Sequence, residues 1–162
     1  MKIAIISDIH DNQEYLKIFF NHCQERSIEA IICCGDVTTI ETFKFLRKNF
    51  SGIIYFVFGN VDIFSERNIT GIHDVKSFGR VGDFEIDGCK IGMCHEPYLL
   101  EKVKEKGEAD FIFYGHTHKP WIDDQGKTVL ANPGTLGGVF QKSTFAVLDT
   151  MTKNLELVIT NY

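Results

Sequence analysis

Five short clusters in this sequence carry side chains that bind cations: Asp8-Ile9-His10, Gly35-Asp36, Gly59-Asn60, His95 and Gly115-His116-Thr117-His118. Together they offer two carboxylates, one amide oxygen and four imidazoles, with no thiolate needed. A shell of mixed nitrogen and oxygen suits divalent Mn, Fe, Zn, Ni or Co and is too nitrogen-rich for a dedicated Mg or Ca cage. Seven donors exceed what one ion that must also hold a substrate accepts, so they point to two ions sharing a carboxylate. Side chains at i and i+2 of extended backbone point the same way, so Asp8 with His10, and His116 with His118, are each expected to face one site. The glycines before Asp36, Asn60 and His116 are expected to permit the sharp turn that lifts the next side chain into a crevice. Each cluster alone is a weak signal; the ordered set, each member where a strand should stop, is a specific one.

The elements that would position these clusters follow from hydrophobic periodicity. Residues 2–7 (KIAIIS) form a short apolar run that ends at the first cluster. Leu16, Phe19, Phe20 and Cys23 then fall on one helical stripe, with Asp11 or Asn12 as N-cap. A second apolar run, residues 28–34, stops at Gly35-Asp36. Thr38 or Thr39 is placed to cap a helix that turns Ile40, Phe43 and Leu46 inward, and a third run, residues 52–58, stops at Gly59-Asn60. This β-α-β-α-β order with near-continuous apolar strands is the pattern of a parallel sheet covered on both faces. Ligands of such sheets bind beyond the carboxyl ends of the strands, where the clusters lie.

The second half changes style. Residues 81–86 and 89–94 flank Asp87-Gly88, a two-residue hairpin signal. Pro97 opens a short helix with Leu99, Leu100 and Val103 inward, and Gly107 ends it. Residues 110–114 read as a strand leading to Gly115; residues 121–123 and 128–131 flank a turn at 124–127; residues 144–149 and 154–159 make a last hairpin. The sequence shows no internal repeat and no linker, so residues 1–162 are expected to form one domain.

Composition bounds the partners. The chain has 162 residues, 44% hydrophobic and 24% charged, as expected of a globular domain. Its 17 basic and 22 acidic residues give a net charge of −5, which argues against a general nucleic-acid binder. No stretch reaches the roughly 18 apolar residues of a membrane span, and the start reads as a strand instead of a targeting segment, so the expected location is the cytoplasm. The five cysteines include no C-x-x-C pair and are expected to pack as reduced, small hydrophobes.

The order D-x-H, G-D, G-N, H, G-H-x-H, running from Asp8 to His118, resembles the calcineurin-like metallophosphoesterases. Asn132-Pro133-Gly134-Thr135 is similar to the Asn-Pro-Gly-Ser turn of that family's small phosphodiesterases, as is the compact length. The resemblance implies an α/β fold, a four-layer α/β/β/α sandwich of two mixed sheets flanked by helices. It also implies that Asp8, His10, Asp36 and His118 surround one divalent ion, with Asn60, His95 and His116 on a second and Asp36 bridging. Mn is the first expectation for the metals. Two positions depart from the family pattern. Val61 stands where a histidine general acid commonly follows the asparagine, and Glu96 stands where glycine commonly follows the lone histidine. Glu96 could narrow access, support a ligand or repel anionic substrates.

The chemistry expected is hydrolysis of a small or nucleotide-like phosphate ester, a diester in preference to a monoester, by a hydroxide held between the two ions, with Asp36, Asn60 and His95 serving that step. Two dications would make a locally cationic pocket in an acidic protein. Without a general acid at Val61, good leaving groups should be favoured, because such acids contribute about 10²–10⁴ in rate. The alternative reading is a catalytically weak scaffold on the same fold that recruits protein partners; self-association into a homo-oligomer is also allowed. Asp62 is read equally as a support for a ligand histidine or as a cap on local backbone. Thr117 is read as holding the loop of its two flanking histidines, and His22 and His73 as surface or boundary residues. Among the 14 phenylalanines most read as core, while Phe64 and Phe140 are left as rim or contact residues.

Overall fold

The computed structural model describes residues 1–124 and 126–160. Gln125, in the turn expected at 124–127, and the last two residues of the 1–162 range lie outside the described residues. In the first half the apolar runs become strands β1 (Lys2–Ile6), β2 (Ala30–Cys33) and β3 (Ile53–Phe56), with helix α1 (Gln13–Glu25) and helix α2 (Ile40–Asn49) between them. Both β1–β2 and β2–β3 pair in parallel. Asn12 caps α1 by accepting from the Tyr15 N–H at 3.3 Å, and Thr39 caps α2 through Thr42. Asp11 does not cap α1; it accepts from the Thr39 N–H and hydroxyl and so supports the start of α2.

Periodicity misses two elements. Helix α3 (Glu66–Ile69) is a single turn, and β4 (Val75–Ser77) is a three-residue edge strand, each too short to show a repeat. The second half then supplies β5 (Val81–Ile86), β6 (Cys89–Cys94), a 3-10 turn Pro97–Leu99 continuing into α4 (Leu100–Lys104), β7 (Phe111–Phe113), β8 (Trp121–Asp123), β9 (Val129–Asn132), β10 (Thr144–Asp149) and β11 (Asn154–Ile159). Asp87 and Gly88, joining β5 to β6, both have left-handed φ (49° and 74°), as a tight two-residue hairpin requires.

Two mixed sheets result. The first runs β11-β10-β1-β2-β3-β4 and the second β5-β6-β7-β9-β8. Alternation along each strand sorts side chains into separate cores. Ala4, Ile6, Ile31 and Cys33 pack with Leu16, Phe19 and Phe43 under the helices. Ile3, Ile5, Ala30 and Ile32 face the other way and meet Ile91, Met93, Phe111 and Phe113 between the sheets. Cys94, Ile112 and Tyr114 form the outer core with Leu99 and Val103 of the 3-10 turn and α4. The order helices, sheet, sheet, helix is therefore the α/β/β/α sandwich expected, held by three layers of burial worth about 1.5–3 kcal/mol per large apolar side chain.

Candidate metal centre

The five clusters converge where the parallel strands stop. β1, β2 and β3 of the first sheet lead to Asp8, Asp36 and Asn60, while β6 and β7 of the second lead to His95 and to His116 and His118. The local reason differs from the one read in the sequence. Asp8, His10, Asp36, His116 and His118 all have left-handed φ, between 49° and 68°, so none of these side chains is presented by extended backbone. Such strain in non-glycine residues costs about 1–3 kcal/mol each and persists only where surroundings impose it. Here main-chain bonds impose it on the loops after β1 and β2. The Asp8 N–H reaches Gly35 O at 3.1 Å, and the Ile9 and His10 N–H groups both reach Asp36 O, at 2.9 and 3.1 Å.

The glycines likewise act mainly by having no side chain. A Cβ at Gly59 would lie 2.0 Å from Asp36 Oδ1, and one at Gly115 would lie 1.9 Å from Ser7 Oγ. Of the three, only Gly35 takes a left-handed φ, 91°.

The donors fall into two adjoining groups. In the first, His118 Nε2 is 3.1 Å from Asp8 Oδ1 and 3.2 Å from His10 Nε2, and His10 Nε2 is 3.7 Å from Asp8 Oδ1. In the second, His95 Nε2 is 3.1 Å from both Asp36 Oδ2 and Asn60 Oδ1, and His116 Nδ1 is 2.9 Å from Asn60 Oδ1. Asp8, Asp36 and His95 also lie within 4.8 Å of one another, which joins the groups. All seven expected donors are thus brought together. His116 and His118 do not share a group, although two residues apart; each serves a different one.

Three features of this cluster fit divalent cations. First, His95 Nδ1 faces Cys34 O at 2.7 Å and His118 Nδ1 faces Val139 O at 3.1 Å. A carbonyl only accepts, so each Nδ1 carries the proton and a neutral ring turns the lone pair of Nε2 toward the cluster. Second, Asp8 Oδ1 is buried without a hydrogen-bond partner although His118 Nε2 lies 3.1 Å away. Third, donors sharing an ion at bond lengths of about 2.0–2.2 Å stand about 3 Å apart, as these do. The carboxylates and rings also shift one another's acidity. Burial would raise the Asp8 carboxyl, but the His10 and His118 rings outweigh it and hold the pKa below the usual carboxylate range. Burial opposes charge on His95, yet the Asp36 and Asp8 carboxylates raise its pKa; Asp8 raises that of His118.

A layer of supporting residues surrounds the donors. Asp62 caps backbone: it accepts from the N–H groups of Gly59 (2.7 Å), Thr38 (2.8 Å) and Asp36 (3.1 Å). Asn132 donates to Gly115 O at 2.7 Å and to Thr117 Oγ1 at 3.0 Å, and its own oxygen accepts from the Gly134 N–H at 2.8 Å. Thr135 Oγ1 donates to Asp8 O at 2.8 Å. The Asn-Pro-Gly-Thr turn therefore ties the histidine loop of one sheet to the β1 end of the other, and Thr117 holds that loop as expected. Glu96 is buried and turned into an ion pair with Arg80, whose guanidinium also donates to Gly59 O at 3.1 Å. It links the segment after His95 to the loop of Asn60. Nothing in the spacing of Arg80 and Glu96, 16 residues apart, marks this contact.

The residues read as bystanders separate clearly. His22 packs beside Phe145 and His73 pairs with Asp74 at the surface; neither joins the cluster. Phe64 is core, at 9% exposed, whereas Phe140 is 94% exposed. The cysteines are free and buried, as expected. No helix among the described residues is long and apolar enough to cross a membrane.

Comparison with known proteins identifies the family. The family described as "Calcineurin-like phosphoesterase superfamily domain" matches residues 1–153. A phosphodiesterase of Methanocaldococcus jannaschii is 27% identical, over 98% of this chain and 99% of its own. The solved structure of an archaeal phosphodiesterase superposes with a TM-score of 0.85 at 26% identity, covering 98% of this chain and 99% of that one. Vacuolar protein sorting-associated protein 29 of Schizosaccharomyces pombe is 26% identical over 85% of this chain and 73% of its own length.

Proposed function

The chain belongs to the calcineurin-like phosphoesterase superfamily, and from that premise we propose that it is a metal-dependent phosphodiesterase of small phosphate esters, acting through two divalent ions in a single domain. Asp8, His10 and His118 would hold one cation and Asn60, His95 and His116 the other, with Asp36 shared between them. When bound, the cations supply Lewis acidity, acidifying water to a nucleophile at neutral pH and neutralising charge on the phosphoryl oxygens. The chain's own part is positional. The carbonyls of Cys34 and Val139 hold the proton on Nδ1 of His95 and His118 so that each Nε2 stays a donor. The Val61 N–H binds Asp36 Oδ1 at 3.0 Å and orients its other oxygen toward His95. Val61 itself cannot deliver a proton to the departing alkoxide, so esters with good leaving groups are the better substrates.

The observation that carries this reading is the buried, unbonded Asp8 Oδ1 facing the ring nitrogens of His118 and His10 at 3.1 and 3.7 Å, an arrangement that a cation satisfies. The test is hydrolysis of bis-p-nitrophenyl phosphate and p-nitrophenyl phosphate with Mn, Ni or Zn. Faster turnover of the diester, abolished by chelation and by Asp36→Ala, is expected. No hydrolysis with any of the metals overturns the reading in favour of a scaffold. That second reading draws on the relative named for vacuolar protein sorting and on the missing general acid. The complete donor set weighs against it.

A further inference from the structure

We propose that Phe140 is a stacking platform at the mouth of the site and that it selects phosphate esters carrying a planar aromatic group, such as a nucleoside or an aryl ring. This deepens the phosphoesterase reading and rests on it. Phe140 is the most exposed of the large hydrophobic residues among the described residues, at 94%, yet it is not a loose loop tip. The preceding residues are pinned from all sides. Leu136 and Gly137 donate their N–H groups to Ser7 O and Asp8 O at 2.9 and 3.0 Å. Asn12 donates to Gly137 O at 2.9 Å, the Val139 N–H reaches Thr135 Oγ1 at 3.3 Å, and Val139 O receives His118 Nδ1. The backbone of Phe140 itself is held at φ 60°, a left-handed conformation that an aromatic residue adopts only when its surroundings require it.

The backbone that carries the ring is therefore held in place, and the ring lies beside His118, a donor of the cluster. Its plane lies within 21° of the His118 imidazole with centroids 6.2 Å apart, an offset, near-parallel arrangement. His118 Nε2 in turn lies 3.1 Å from Asp8 Oδ1, so the phenyl ring is one imidazole away from where the phosphoryl group would sit. A ring so placed can extend the stack of His118 to a third, planar group attached to the ester. Stacking is tolerant of the identity of that group, because every aromatic ring offers a π face.

The proposal is tested by inhibition constants for methyl phosphate, phenyl phosphate, ribose 5-phosphate and adenosine 5′-monophosphate against hydrolysis of bis-p-nitrophenyl phosphate with Mn. In the native chain the ring-bearing member of each pair should bind about tenfold tighter than its partner. Phe140→Ala should erase that gap, while Phe140→Trp should keep it. A gap for phenyl alone assigns the platform to aryl esters, and a gap for the adenosine compound alone assigns it to nucleosides. A gap unchanged in Phe140→Ala, or absent in the native chain, overturns the proposal. A second measurement does not need turnover. The chain has one tryptophan, so Phe140→Trp combined with Trp121→Phe places the sole indole on the platform. Its fluorescence should be quenched by adenosine 5′-monophosphate and not by ribose 5-phosphate; equal response to both overturns the proposal. Absence of hydrolysis with every metal alongside selective quenching would count against the phosphodiesterase reading while leaving the platform standing.

Discussion

The two sheets contribute to the site in different currencies. The first delivers both carboxylates, the amide oxygen and His10; the second delivers the other three imidazoles. They also hold their donors differently. The loops after β1 and β2 are laced together by main-chain hydrogen bonds, from Asp8, His10 and Asp11 N–H to carbonyls of Gly35, Asp36 and Val37. The loop after β7 has main-chain ties of its own, from the Gly115 N–H to His95 O at 3.0 Å and the Thr117 N–H to Gly115 O at 2.8 Å, but it leans more on side chains: Asn132 and Thr117, together with Asp8 Oδ2, which accepts from the His116 N–H at 3.0 Å. The difference teaches where the site is fragile. Main-chain lacing survives most substitutions nearby, whereas a side-chain clamp is lost with one residue.

The largest expected effect tests the side that supplies charge. Asp36→Ala should lower kcat/KM for bis-p-nitrophenyl phosphate by about 10³-fold or more, with full secondary structure by circular dichroism; retention of a tenth of native activity would show that the first sheet's charge is not central. Val61→His places an imidazole on the oxygen-rich side. Turnover of diesters with poor leaving groups should rise by about 10–100-fold and that of p-nitrophenyl esters much less; an equal rise for both would count against a missing proton donor. Asn132→Ala cuts the clamp on the second sheet. Titration with Co, followed by its absorption bands, should show metal affinity reduced about 10–100-fold. Leu46→Met, a near-isosteric core change on α2 away from the clamp, should leave affinity nearly unaltered.

Because the donors come from both sheets, bound cations should also join them. At about 100 times the dissociation constant, metal adds about 2.7 kcal/mol, and chelation should lower Tm by about 5–10 °C in calorimetry. No shift on chelation would mean that the sheets pack independently of the ions. The smallest effect expected is none at all. Burial pushes the thiols of Cys23 and Cys94 up to about 12 and raises those of Cys33, Cys34 and Cys89. Iodoacetamide at neutral pH should therefore modify none of the five cysteines before unfolding, by mass spectrometry.

The donors and the strands that carry them were legible in the sequence because strand ends, apolar runs and ligand types are local signals. The reason for convergence was not. Extended-backbone alternation puts Asp8 and His10 on one side, but both residues are left-handed, and their common direction comes from contacts with the β2 loop, 26 or more residues away. His116 and His118 fall in different groups, the division that the family resemblance implied. Asp62 could be read two ways until its three N–H donors were seen. The Arg80–Glu96 pair and the pinning of Phe140 are long-range and leave no periodic trace. Short elements such as α3 and β4 escape for a simpler reason: four or three residues are too few to repeat.

The close packing at Gly59 and Gly115 has a consequence for how such a site can change. One added carbon at either position would collide with Asp36 or Ser7, so the floor of the crevice is closed to variation. The rim is not. Val61 is only partly covered and Phe140 is 94% exposed, so new side chains there meet solvent before they meet the fold. Tolerance to change is thereby partitioned: side chains at Val61 and Phe140 can be exchanged without disturbing the fold, whereas the glycines beneath cannot.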